Sequence, residues 1–91
     1  MDKNLIGCFA YATSGHDAGN LYVIVAVENE YAYLCDGRIR TMAHPKKKSV
    51  KHLQLMKTKI EETLLNRILM NEKVYDHEIK YAIKQQSGKE D

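Results

Sequence analysis

The 91-residue chain predicts a mainly β domain with C-terminal helices: a small five-stranded antiparallel barrel followed by two short α-helices. Two observations carry this. As far as Met56, apolar residues come in short β-branched and aromatic runs broken by Gly, Asp, Asn and the only proline. From Thr58 onward, apolar residues recur three and four apart, the period of a helix. The length suits one core, and the expected organisation is a barrel over residues 1–57, a helical extension packed on it over 58–86, and a flexible tail over 87–91.

The first strand is predicted from Leu5 to about Thr13, a β-forming segment too short and glycine-interrupted for a helix. Ser14–Asn20 contains two glycines with Asp17 and Asn20, residues that accept positive φ or bond their own backbone, and predicts a turn. Leu21–Val27 is apolar throughout, as in a strand covered on both faces. The polar link Glu28-Asn29-Glu30 joins it to Tyr31–Cys35 as a hairpin. Asp36-Gly37 signals the next turn, and Arg38–Met42 alternates, predicting a fourth strand with both arginines on one face and Ile39 on the other. His44–Ser49, holding Pro45 and three lysines, is an exposed loop or edge. Val50–Met56 is the last strand, with Leu53 and Leu55 sharing a face.

Thr58 and Glu61 match a capping box, and Ile60, Leu64 and Ile68, flanked by Leu65 and Leu69, form the stripe of a helix reaching Met70. Asp76 caps a second helix through about Gln85, with Ile79, Ala82 and Ile83 inward.

Hydrophobic residues are 44% and charged residues 29% of a chain with net charge +2, the composition of an ordinary folded protein rather than a disordered one. No apolar run approaches the ~20 residues of a membrane span, so no membrane partner is expected. No secretory signal is visible after Met1, which makes a cytoplasmic location the expectation. Cys8 and Cys35 lack C-x-x-C spacing and read as buried thiols. His16, His44, His52 and His77 are scattered, with no metal-ligand spacing, and no cofactor motif is present. His16-Asp17 could orient an imidazole for base catalysis, but adjacent loop residues point apart and no nucleophile motif accompanies them. Asp17 holding the turn with His16 exposed is the simpler reading. Ser14 has no G-x-S-x-G frame, and no lysine follows Gly19 as in a phosphate-binding loop, so an enzyme is not expected.

Charge is informative once divided along the chain. Residues 1–35 carry net −3 and residues 60–91 net −2, whereas residues 36–59 set eight basic residues against Asp36 alone, net +7. Arg38, Arg40, Lys46, Lys47, Lys48, Lys51 and His52 would gather over a surface about 15 to 20 Å across, at about 3.3 Å per strand residue. Lys57 and Lys59 read as solvated side chains. Such a patch attracts phosphate, with a steep salt dependence. Tyrosines can add stacking, although Tyr31 and Tyr33 fit a half-buried strand better. RNA is the expected partner of a monomeric domain; the alternative is a protein-interaction module whose lysines meet an acidic partner.

Leu5–Val27, with Gly19 between its two strands, resembles the KOW motif. The continuation through Asp36-Gly37-Arg38-Ile39-Arg40, Pro45–Lys48 and Lys51-His52-Leu53 is similar to short bacterial KOW-domain RNA-binding proteins akin to large-subunit ribosomal proteins of type fourteen-e. The likeness spans about residues 5–55. It implies an SH3-like barrel that binds structured RNA, ribosomal RNA or a ribosome-associated site, with Ser14, Gly15, His16 and Gly19 of the first turn and the run from Arg38 to His52 facing it. The chain departs from the family at His16 and Ala18, where basic residues are common, and in its modest overall basicity. These departures count against permanent incorporation into the ribosome and leave a transient or regulatory association open.

Overall fold

Leu21–Val27 is apolar at every position because it runs through the middle of a sheet covered on both sides. In the computed structural model, which describes residues 3–89 and only the backbone of Lys3 and Lys89, a 3-10 turn over Lys3–Leu5 precedes five antiparallel strands. These are β1 (Cys8–Ala12), β2 (Leu21–Glu28), β3 (Tyr31–Cys35), β4 (Lys46–Ser49) and β5 (Leu53–Lys59), in the spatial order β4-β3-β2-β1-β5. Two helices follow, α1 (Glu62–Leu69) and α2 (Asp76–Lys89).

One face of the sheet buries Ala10, Ala12, Tyr22, Ile24, Ala32, Leu34 and Leu53. The other buries Phe9, Leu21, Val23 and Cys35 against Ile60, Leu64, Val74 and Ile79 of the helical segment. The edge strands β4 and β5 are not hydrogen-bonded to each other, so the sheet is not closed. It is strongly curved nonetheless. Four flat strand spacings would separate the edges by about 19 Å, whereas a single 3-10 turn, Val50–His52, carries the chain from Ser49 to Leu53, at most about 14 Å even fully extended. Register shifts between Ile24 and Ala26 and between Cys8 and Ala10 supply the bends.

Three elements differ from the sequence expectation. No strand forms over Arg38–Met42. The Asp36 carboxylate accepts the backbone N–H groups of Arg38 (2.8 Å) and Arg40 (2.9 Å), and Asp76 at the start of α2 accepts that of Met42 (2.7 Å). Donors that a ladder would have used are thereby taken. The fourth strand is instead the lysine run, paired with β3 in the register Ala32↔Lys48, Tyr33↔Lys47 and Leu34↔Lys46. Lysine is a poor strand former but a common residue at a sheet edge, which it protects from further pairing. Thr58 does not cap α1. Pairing of Cys8 with Lys59 and the bond from Ile60 N–H to the Gly7 carbonyl (2.9 Å) hold the chain extended past it, so Glu61 becomes the cap residue.

Smaller differences follow from position. Leu53 joins the buried face of the sheet, whereas Leu55, two residues further along the edge strand β5, is exposed. The last helix continues through Ser87 to Lys89 where a tail was expected; Glu90 and Asp91 lie outside the described residues.

Both cysteines are buried free thiols. Burial pushes the Cys35 thiol from 9.0 up to about 11, with nearby Asp76 and Asp36 adding to the rise. A thiol that stays protonated in the native state while the unfolded chain ionises gives stability that is complete below pH 9 and lost as pH rises toward 11. The loss is at most about 3 kcal/mol. Denaturant unfolding at stepped alkaline pH should show this decline, and Cys35→Ala should flatten it by up to one proton's worth of slope; equal slopes in both proteins would contradict the assignment.

Candidate functional site

The Ser14–Asn20 loop connects β1 to β2 and lies against the lysine strand. Gly19 takes φ +87° with open space around it, and Ala18 N–H to Gly15 carbonyl (3.2 Å) and Asn20 N–H to Asp17 carbonyl (3.0 Å) close the turn. Its position is fixed from two sides. The Lys48 ammonium donates to the Ser14 carbonyl at 2.8 Å, and Tyr22 Oη donates to Asp17 Oδ1 at 3.2 Å. Burial, opposed by an Asn20 hydrogen bond and reinforced by the Asp17 charge, raises the Tyr22 phenol above its ordinary pKa.

Asp17 sits at the centre of the cationic groups. Arg40 Nη2 lies 4.0 Å, Lys46 Nζ 3.8 Å and Lys48 Nζ 3.7 Å from its oxygens. Lys46 and Lys48 reach it together because alternate residues of β4 share a face. The Lys48 side chain is 11% and that of Asp17 15% exposed, against 35% for Arg40 and Lys46, so the cluster grades from a half-dry centre to a wet rim.

Lys47 takes the opposite face of β4, with its ammonium 4.5 Å from the centre of the exposed Tyr31 ring. Arg38 is exposed in the connector after β3, and Lys51 is exposed on the 3-10 turn; neither has a carboxylate partner among the described residues. His16 is exposed and His52 half-buried, the latter's carbonyl accepting Thr13 N–H at 2.9 Å.

Of the residues expected from sequence, Ser14, Gly15, Arg40, Lys46 and Lys48 are thus brought together. Gly15 lies close enough that a Cβ there would meet Lys48 Nζ at 3.5 Å. Arg38 and Arg40 do not share a strand face, and Lys47 points away from its two neighbours. The residue that sequence reasoning undervalued is Asp17, read as a turn residue. Part of a signal was present, since it is the only carboxylate between Lys3 and Glu28, but which cations it meets was left to the fold.

The connector that delivers Arg40 and Lys46 is clamped by α2. Gly37, at φ +78°, packs so closely on the first turn of α2 that a Cβ would collide with the Asp76 carbonyl and lie 2.8 Å from Lys80 N. The helical extension thereby sets where the cations stand. Among the described residues no helix is long and apolar enough to cross a membrane, and no group of His, Cys, Asp and Glu could hold a metal ion. Compared with protein-family models and with curated proteins, the chain matches none.

Proposed function

We propose that this protein binds RNA without catalysis, as a KOW-type domain on an SH3-like barrel, and that ribosomal RNA at the large subunit is its site of association in the cytoplasm. The observation that carries the reading is the gathering of Arg40 of the connector and Lys46 and Lys48 of β4 on a loop that holds a single carboxylate. Among the described residues these three cations share Asp17 as their one carboxylate within 4.0 Å, while Arg38, Lys47 and Lys51 have none at that range. A self-satisfied ion-pair network would balance its charges; this one leaves a surplus that polyphosphate can neutralise. The barrel reading is supported by the curvature of the sheet, whose two edges are joined by one short turn. Helical RNA is recognised mainly through shape, phosphate and 2′-hydroxyl contacts, which a basic surface with little base-specific chemistry can supply.

Fluorescence anisotropy with ribosomal RNA fragments tests this. Micromolar or tighter binding is expected, with log K falling by about 0.7 to 0.9 per phosphate contact against log salt. Five to seven contacts amount to roughly a 10³-fold loss between 50 and 200 mM salt. Absence of binding at the lower salt would end the proposal. A nuclease-resistant protein complex recovered from cell extract would favour docking to an acidic protein instead.

A further inference from the structure

We infer that Arg40, Lys46 and Lys48 form a discrete phosphate site that the protein's own Asp17 carboxylate fills, so that a ligand phosphate binds there in competition with Asp17. The inference deepens the RNA-binding reading and rests on it for the identity of the natural ligand.

The geometry argues against a purely structural ion pair. All three N···O separations, 3.7 to 4.0 Å, lie beyond the 2.7–2.9 Å of a charge-assisted hydrogen bond. A carboxylate has two oxygens and one negative charge, and moving toward any one cation takes it from the others. The hydrogen bonds near the centre go elsewhere: Tyr22 Oη donates to Asp17, and Lys48 to the Ser14 carbonyl. Three positive charges therefore surround one negative charge in a partly desolvated setting, where repulsion among the cations is weakly screened. A phosphate is wider than a carboxylate and carries more acceptor oxygens, so it can meet donors that Asp17 leaves beyond hydrogen-bond reach. Arg40 and Lys46, the more exposed members, open the site to solvent.

Asp17→Asn tests this because the amide oxygen can still accept the Tyr22 hydroxyl while the negative charge is gone. The variant should melt lower than wild type in low-salt chloride and regain stability in inorganic phosphate at matched ionic strength, by a larger increment than wild type. On an RNA duplex of about 20 base pairs it should bind roughly tenfold tighter at 0.1 M salt, with the salt slope steeper by up to one contact, about 0.9. Asp17→Glu, which keeps the negative charge, should show neither the phosphate-specific gain in stability nor the tighter RNA binding of Asp17→Asn. Wild-type RNA binding with no gain by Asp17→Asn toward RNA or phosphate would overturn the competition while leaving the RNA reading in place. A phosphate response without any RNA binding would retain the site and remove RNA as its ligand. No response to either by a folded Asp17→Asn protein would defeat both.

Discussion

Gly37→Ala is expected to lower stability by roughly 2 to 5 kcal/mol. Placing a β-carbon at φ +78° costs about 1 to 2 kcal/mol by itself. The new methyl would also be driven into the Asp76 carbonyl and the Lys80 amide, backbone atoms of α2 that cannot rotate aside. Overpacking of that kind adds about 1 to 3 kcal/mol. Against a total on the order of 5 to 14 kcal/mol for a chain this long, the change removes a large share. At about 4 to 8 °C per kcal/mol, the melting temperature should fall by roughly 8 to 40 °C, read by circular dichroism or calorimetry. Hydrogen exchange should show α2 and the 36–45 connector losing protection before the sheet does. A melting temperature within 3 °C of wild type would mean that the connector is not clamped on α2 as described.

The second large effect concerns binding. Simultaneous Arg38→Gln, Lys47→Gln and Lys51→Gln should weaken RNA binding on the order of 10²-fold at 0.1 M salt and reduce the salt slope by about 2 to 3. All three residues are exposed, and among the described residues their one close side-chain contact is Lys47 on the Tyr31 ring, worth about 0.5 to 1 kcal/mol. The triple variant should therefore keep nearly the wild-type melting temperature. Alanine at Lys46 and Lys48 would be a poorer probe, because Lys48 also anchors the Ser14 carbonyl. Unchanged affinity in the triple variant would confine binding to the Asp17 cluster or exclude the basic surface altogether.

The β2–β3 hairpin was legible almost to the residue. Its strands are rich in β-branched and aromatic side chains, the polar link between them is two residues of turn, and Asn29 takes the positive φ (55°) that asparagine tolerates. The inner face of α2 was legible for the same kind of reason: Ile79, Ala82 and Ile83 recur at helical spacing and are buried or half-buried. Arg38–Met42 misled because its alternation is real, yet its amides bond to Asp36 close by and to Asp76, 34 residues away from Met42. No local pattern announces the second contact. Thr58 misled in the same way, through pairing of its neighbours with β1 near the other end of the chain.

Local chemistry determined where the chain turns, which runs are apolar, and that positive charge concentrates between Asp36 and Lys59, since each depends on residue type and short-range spacing alone. Tertiary structure decided that the lysine run becomes a strand, and that Asp17 faces Arg40, Lys46 and Lys48. Both depend on edges and loops far apart in sequence meeting in space. An edge strand takes its hydrogen bonds from a neighbour, and a carboxylate takes its partners from whichever cations the fold sets beside it.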